Sequence, residues 1–434
     1  MSALGFTLLS FGIILVLVRL KVPLWLAILT GAISLGLFFG EDVKGLTRAA
    51  VKGVTQSTSI GLLLAVALLL MLSEAMRQTG RMERMVALIQ SFARRPVITL
   101  AALPALIGLL PMPGGAIFSA PMVRQAAQGS ELGGNMLSSI NYWWRHIWEH
   151  WWPLYPGVIL AMSLTNSDLL TFAFFQIPLG LFMFAGGVLL FRSAPSSLFL
   201  KGPPPPPDIK RKILLSVTPI GLVLIVWCLG GLVVKLIWGA PESGRTALGW
   251  LSFMQKFAPL IFGLVVSLVY TLWARPFPFK QLGRRVWNKE MVPLLGLVLS
   301  VMVYQSVLKD VNAATAIGRE LELLHVPVTL VVILLPFIAG LLTGVAFGFV
   351  GVSFPLVLSL VESMPDHPSM RPYVVLAYAC GHLGMMISPI HLCYVVSNRY
   401  FAATFGATLR LLAWPFVVMT VSAAAYFLLL KWAL

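Results

Sequence analysis

Long apolar stretches separated by short polar ones run through most of the chain, and this pattern predicts an all-α polytopic membrane protein. A helix needs about 20 consecutive apolar residues to cross a bilayer. Eight stretches of suitable length are predicted to be spans, and they lie at 3–20, 23–40, 57–76, 169–191, 213–238, 258–274, 292–308 and 402–430.

Four further apolar segments are interrupted by Pro, Gly or Ser. Residues 96–124 and 326–361 are predicted to form re-entrant hairpins around PMPGGAIFSAP and TGVAFGFVGVSFP. Residues 134–165 and 373–398 are predicted to be spans that break at WWPLYPG and ISPIHL. Because unpaired backbone groups are costly in lipid, such irregular backbone indicates contact with protein or with a wet cavity.

The two halves of the chain repeat one another. Seven residues recur in order, at separations that rise only from 231 to 236. The first-half members are Pro96, Pro104, Gly108, Ser119, Pro121, His146 and Pro153, and the second-half members are Pro327, Pro336, Gly340, Ser353, Pro355, His382 and Pro389.

The repeat divides the chain into residues 1–191, a Pro-rich cytoplasmic linker at 192–212, and residues 213–434. Each half is predicted to hold three spans, a hairpin, a broken span and a last span, which gives about ten spans and two hairpins in all. Five crossings per half is an odd number, so the second half enters from the opposite face. That arrangement is an inverted-topology repeat, which is typical of secondary transporters.

Composition agrees with this layout. The chain is 59% hydrophobic and 11% charged, whereas soluble domains average about 45–50% and about 25%, so a soluble enzyme is excluded. The net charge of +16 is attributed to membrane orientation rather than to nucleic acid, which is not predicted as a partner. The layout puts 19 basic residues on one face and 10 on the other. The richer face is predicted to be cytoplasmic, which puts both termini outside the inner (plasma) membrane.

The hairpins and the breaks are the first candidate binding site. Glycine lets a ligand approach the backbone closely, and helix N-termini at the hairpin tips favour an anion. Prolines within the broken spans free carbonyl groups that can hold substrate or a coupling cation. The predicted substrate-binding residues are Gly114, Gly115, Ser119, Pro153, Tyr155, Gly351, Ser353, Ser388, Pro389 and His391.

Ionisable residues inside the first broken span are the second candidate, because such residues are costly in a membrane and usually functional. Arg145 and Glu149 are four residues apart and are expected to pair on one helix face, and His146 and His150 share that spacing. Together with His382, these residues are predicted to carry charge or couple transport. A structural Arg–Glu pair with satisfied core histidines is the alternative.

Residues 146–150 also spell H-x-x-E-H, a zinc-peptidase motif. The acidic residues next downstream, Asp168 and Glu242, fall in predicted outer loops, and the repeat copy keeps only the first histidine. We therefore predict no enzymatic activity, no catalytic residue and no metal site. An intramembrane zinc protease remains an alternative.

The pattern of two hairpins and two broken spans resembles the ion transporter superfamily of elevator-type carriers, and within it an uncharacterised ten-span family named only as a domain of unknown function. Relatives in that superfamily include divalent anion/sodium symporters, gluconate permeases and citrate carriers. The symporters carry Ser-Asn-Thr at each hairpin tip, whereas here the tips read GAIFS and GVS, so only Ser119 and Ser353 carry over. The resemblance implies a dimeric scaffold.

These observations together predict a secondary active transporter for a small organic anion such as a carboxylate. Transport is expected to be coupled to H⁺ or Na⁺, with Na⁺ the one possible bound cofactor and a homodimer the expected assembly in the bilayer. A cation/proton antiporter of the same superfamily is the main alternative.

Overall fold

The computed structural model of the protein is helical throughout the part of the chain that it describes, which confirms the all-α class. No β-strand occurs in that part, which comprises residues 2–109, 115–192, 194–202, 204–238, 249–275, 277–286, 291–323, 325, 327–364, 366 and 368–434.

The described residues of the first half form ten helices. They are α1 (Ala3–Arg19), α2 (Leu24–Phe38), α3 (Val43–Thr55), α4 (Ser57–Gln78), α5 (Arg81–Phe92), α6 (Pro96–Gly108), α7 (Ala116–Ala126), α8 (Gly134–Arg145), α9 (Pro156–Leu164) and α10 (Leu169–Leu189).

A short 3₁₀ helix (Ser196–Phe199) leads into the second half. The described helices there are α11 (Ile209–Trp238), α12 (Gly249–Lys256), α13 (Ala258–Ala274), α14 (Phe279–Val286), α15 (Met291–Asp310), α16 (Ala313–Leu323), α17 (Val328–Thr343), α18 (Ala346–Glu362), α19 (Met370–Met386), α20 (Leu392–Tyr400) and α21 (Phe405–Ala433).

Each predicted span coincides with a helix. Among the described residues, α4, α10, α11, α15 and α21 are both long and apolar enough to cross a membrane, and α1, α2, α6, α13, α17 and α18 are shorter apolar helices. The structure differs from the prediction in one boundary and three additional helices. Helix α11 begins at Ile209, inside the predicted linker, because the proline run that prevents a helix ends at Pro207. Helices α3, α12 and α14 were not predicted.

The helices pack as two groups. In the first group, α1–α5 and α11–α16, helix α15 packs on α2, α3 and α4, and α13 packs on α11 and α4. In the second group, α6–α10 and α17–α21, helix α17 packs on α18 and α19, α6 packs on α7 and α8, and α10 packs on α21. Contacts such as α15–α18, α4–α9 and α5–α6 join the two groups.

Pairs of packed helices recur in the two halves. The pair α1–α2 has a counterpart in α11–α13, and α2–α15 has one in α13–α4. The pair α9–α18 likewise corresponds to α20–α7, in which a broken span of one half packs on the hairpin of the other. When the predicted spans, hairpins and broken spans of each half are counted in order, the helices of each pair have the same places as those of its counterpart.

Polar contacts between distant segments join residues that the charge count assigns to one face. The Lys52 ammonium lies 2.6 Å from the Asp310 carboxylate, and both residues fall on the predicted outer face. On the predicted inner face, the Arg124 guanidinium donates to the Tyr400 carbonyl oxygen at 3.0 Å. These contacts agree with the predicted grouping of the segments.

Glycine allows the hairpins to lie close to the broken spans. A Cβ atom at Gly108 of α6 would overlap the Arg145 carbonyl oxygen of α8. A Cβ at Gly340 of α17 would overlap the Gly381 carbonyl oxygen of α19 in the same way. The backbones of each pair therefore touch, as small residues permit in membrane helix packing.

We expect Gly340→Ala to lower the stability of the protein by about 1–3 kcal/mol, the usual cost of overpacking a filled core. The matched control is Gly221→Ala in α11, where a Cβ meets nothing within 4 Å, and that change should be neutral or slightly stabilising. Thermal unfolding midpoints in detergent test the difference. Equal midpoints for the two variants would contradict the close backbone contact.

Candidate functional site

Two helix breaks face each other inside the second group of helices. Helix α8 ends at Arg145 and α9 begins at Pro156, while α19 ends at Met386 and α20 begins at Leu392. Pro153 and Pro389 lie within these breaks, where the missing N–H group prevents the helix from continuing. The first break (146–155) and the second break (387–391) are therefore the two non-helical segments around which the site is built.

Side chains hold the two breaks together. The Tyr142 hydroxyl donates to the Met386 carbonyl oxygen at 2.8 Å, and the Nε2 atoms of His146 and His391 are 3.0 Å apart. The Tyr378 hydroxyl of α19 donates to the Glu149 carbonyl oxygen, also at 2.8 Å. Residues of both halves thus pair across the centre of the group.

Side chains of the first break also donate hydrogen bonds to the C-terminal end of α6, where the last carbonyl groups have no partner within their own helix. Three hydrogen bonds do this: the Trp148 N–H donates to Ala105 (2.7 Å), the Trp152 N–H to Leu109 (2.9 Å) and the Tyr155 hydroxyl to Gly108 (2.5 Å). In the second half, the Ser388 hydroxyl donates to Leu341 near the end of α17, at 2.6 Å. Each hairpin is therefore anchored to the break of its own half.

The hairpin turns lie directly on the breaks. A Cβ atom at Gly115, which precedes α7, would collide with the Arg145 guanidinium. At Gly344, which ends α17 with a φ of +63°, a Cβ would lie 3.1 Å from the His391 nitrogen. The predicted residue Gly114 lies outside the described residues. Both hairpins thus approach the breaks closely enough to require glycine.

Each hairpin also packs on the broken span of the opposite half, α7 on α20 and α18 on α9. Asn141 of α8 bridges the first of these pairs, because its amide donates to the Ser397 hydroxyl of α20 at 2.8 Å and to the Ala116 carbonyl oxygen of α7 at 3.4 Å. A Cβ at Gly157 of α9 would lie 3.0 Å from the Ala346 side chain of α18. The first turns of α7, α9, α18 and α20 consequently lie next to the two breaks.

Four helix N-termini at one place create a positive electrostatic environment, because each carries N–H groups without a partner in its own helix and the positive end of a macrodipole. The guanidinium of Arg145, which is 3% exposed, adds a full positive charge. The side chain of Cys393, which is also buried, is one of its neighbours. This arrangement is suited to binding an anion.

Glu149 and the four histidines form a buried row. The Glu149 carboxylate oxygens lie 3.8 Å from His146 Nε2 and 3.7 Å from His382 Nε2. The rings of His382 and His150 are 4.0 Å apart, centroid to centroid. Together with the contact between His146 and His391, this row connects the first break to the second.

The helical geometry expected for the first broken span is wrong. Residues 146–151 form turns instead of continuing α8. The spacing of four therefore does not bring Arg145 and Glu149, or His146 and His150, onto one helix face. His146 faces His391, whereas the His150 ring lies against that of His382 at an angle of 45°, so the two histidines of the H-x-x-E-H motif turn to different neighbours.

Three predicted residues lie within the hairpin helices, outside the two breaks. Ser119 and Ser353 are buried, and their hydroxyls lie close to carbonyl oxygens of their own helices, 3.5 Å from Gly115 and 2.6 Å from Phe349. Gly351 faces away from the breaks, because a Cβ there would meet the Val301 side chain of α15 at 2.5 Å. Tyr155, Ser388 and His391, in contrast, lie in the breaks themselves.

The sequence reasoning missed Cys393. Its signal was the spacing His391-x-Cys393 directly after Pro389, which places both side chains at the start of α20. Among the described residues, His146, His391 and Cys393 are the one group of three whose ligand atoms could hold a metal ion, and these atoms all lie within 4.8 Å of one another.

Comparison with known proteins identifies the family of the chain. No curated protein matches it. The family described as "Protein of unknown function (DUF401)" matches residues 2–236 and 247–430, which include both hairpins, both breaks and most of the helices around them. The chain therefore belongs to the DUF401 family.

Proposed function

We propose that the protein is a secondary active carrier that moves a small, carboxylate-like organic anion across the inner membrane, coupled to H⁺ or Na⁺. One observation carries this proposal: the buried Arg145 guanidinium lies against Gly115, at the N-terminal end of α7. Two positive poles, a side chain and a helix end, thus point to the same place inside an apolar protein.

An anion at this place would face two sources of positive charge at once. The macrodipole is positive at a helix N-terminus, and the guanidinium carries a full positive charge, so both favour a negatively charged ligand. A carboxylate accepts hydrogen bonds from a guanidinium in a bidentate geometry and from helix N–H groups as well. Arg145 and the first turns of the four helices could therefore bind a carboxylate together.

The packing of the helices supports an elevator-type movement. Both hairpins and both breaks belong to the second group of helices, which we propose moves as one body against the first. The recurring helix pairs support two inverted repeats, each with three spans, a re-entrant hairpin, a broken span and a last span. The first group would then form the scaffold of a homodimer, as the resemblance implies.

The coupling ion has a place near the same residues. For protons, the neighbouring rings of His150 and His382 offer two buried imidazoles, and chains of His and acidic side chains carry protons in membrane transporters. For sodium, the oxygen atoms of the breaks and the Glu149 carboxylate offer the hard ligands that such cations take. The buried Glu149 carboxylate is also what favours the second candidate, a cation/proton antiporter.

Arg145→Gln should weaken anion binding at least tenfold, because truncating one partner of a buried, hydrogen-bonded charge pair costs about 2–5 kcal/mol. The measurement is thermal stabilisation in detergent by a panel of mono-, di- and tricarboxylates, with and without Na⁺. The matched control is Arg410→Gln in α21, an arginine that is exposed and should leave binding unchanged.

If Arg145→Gln does not fold, Gly115→Ala replaces it, since the new methyl group would displace the guanidinium from the end of α7. An anion that stabilises the native chain and both variants equally would place the site elsewhere. If no anion of the panel stabilises the protein and none is taken up in proteoliposomes, the carrier proposal is refuted.

An inward gradient of a single ion, either H⁺ or Na⁺, should be sufficient to drive accumulation of the stabilising anion inside proteoliposomes. Proteoliposomes with a pH gradient but no Na⁺, and with an Na⁺ gradient at equal pH, separate the two coupling ions. If protons are the coupling ion, His382→Gln should abolish accumulation of the anion against its gradient but preserve exchange of the anion across the membrane at equal concentrations. Proton release on adding Na⁺ or Li⁺ without any anion would instead identify the antiporter.

A further inference from the structure

We propose that His146, His391 and Cys393 form a binding site for a thiophilic divalent transition metal such as Zn²⁺. The site takes one ligand from the first break and two from the second break and the start of α20. It goes beyond the proposed anion transport and does not rest on it, because metal binding is measured on the purified protein without any anion.

The three side chains are already close to the geometry that a metal needs. The His146 and His391 Nε2 atoms are 3.0 Å apart, and the Cys393 sulfur lies within 4.8 Å of both. With Zn–N bonds of about 2.0–2.1 Å, two imidazole nitrogens at a tetrahedral angle are separated by about 3.3 Å. A nitrogen and a thiolate sulfur bound to one zinc ion are about 3.6 Å apart, so the ion also requires the Cys393 side chain to turn towards the two imidazoles.

A backbone contact fixes the orientation of His146. Its Nδ1 atom lies 2.6 Å from the Tyr142 carbonyl oxygen. A carbonyl only accepts hydrogen bonds, so Nδ1 carries the proton and Nε2 turns its lone pair towards His391. Metal-binding histidines are typically held in this way, with the second ring nitrogen donating to a carbonyl or a carboxylate.

His391 can adopt the complementary tautomer. The two Nε2 atoms share one hydrogen bond. Because His146 Nε2 accepts it, the proton belongs to His391 Nε2. The Nδ1 atom of His391 has no hydrogen-bond partner among the described residues, so it can carry that proton when Nε2 binds the metal. On binding, Cys393 gives up its thiol proton to solvent and coordinates as thiolate.

The ligand set selects the class of metal. Imidazole and thiolate favour zinc and its neighbours among the transition metals, whereas magnesium and calcium prefer oxygen ligands. All three residues are buried, at 0%, 5% and 8% exposure for His146, His391 and Cys393. Three protein ligands leave a fourth position open, and the nearest carboxylate oxygen described is that of Glu149, 3.8 Å from His146 Nε2.

Metal binding would lock the two breaks to each other. His146 directly follows α8, and Cys393 lies in the first turn of α20. The sulfur would exchange its contact with Arg145 for a bond to the metal. This ligand set also differs from that of the H-x-x-E-H motif, which requires His150.

Equilibrium titration with Co²⁺, followed by displacement with Zn²⁺, tests the site on untagged protein freed of metal by chelation. We expect one Co²⁺ per chain, a thiolate-to-cobalt charge-transfer band and the intense visible absorption of a four-coordinate ion. Cys393→Ser should remove the charge-transfer band and weaken binding at least tenfold. The double control Cys228→Ser/Cys380→Ser removes the other two thiols of the chain and should keep both properties, as should His150→Gln.

Zinc X-ray absorption on the native chain provides a test that needs no variant, in case Cys393→Ser does not fold. The expected first shell contains one sulfur at about 2.3 Å and nitrogen or oxygen ligands at about 2.0–2.1 Å. Absence of stoichiometric binding by the native chain, or a shell without sulfur, would overturn the proposal. Loss of binding in His150→Gln with retention in Cys393→Ser would assign the metal to the H-x-x-E-H motif instead.

Discussion

The pairing of backbone groups where helices end inside an apolar protein is the constraint on which the rest of this structure depends. Helices α6 and α17 end beside the two breaks, inside the protein, and an unpaired carbonyl there costs free energy. The chain meets this requirement with donors from the breaks, namely Trp148, Trp152 and Tyr155 on the end of α6 and Ser388 near the end of α17. The hairpins and the breaks are consequently fixed to one another.

This fixed arrangement explains why so many polar side chains are buried together. Once the breaks are held against the hairpins, the packed helices enclose Arg145, Glu149 and the four histidines, and all six side chains are buried. Glycines at Gly108, Gly115 and Gly340 allow the backbones to approach closely. The result is a compact group of charged and polar side chains surrounded by apolar packing, where each electrostatic interaction is stronger than in water.

The two proposals concern neighbouring parts of this group. Arg145 and the first turn of α7 would take an anion, while His146, His391 and Cys393 would take a metal ion. Cys393 is a neighbour of both parts, because its sulfur lies within 4.8 Å of the His146 ligand atom and Arg145 is nearby. Binding at one part is therefore expected to change the other, and such a coupling would act equally in both directions.

The sequence by itself determined the all-α class, the positions of the apolar helices and the two breaks, because apolar stretches and proline act locally. It also identified Arg145, Glu149 and the histidines, since charge is rare in such segments. Only the tertiary structure decided which of these side chains meet. Helix α8 stops at Arg145, so spacing along the chain no longer predicts neighbours, and His146 pairs with His391 across 245 residues. Contacts of this kind, and the position of Cys393 beside them, depend on how two distant breaks pack together. Local sequence patterns do not predict that packing.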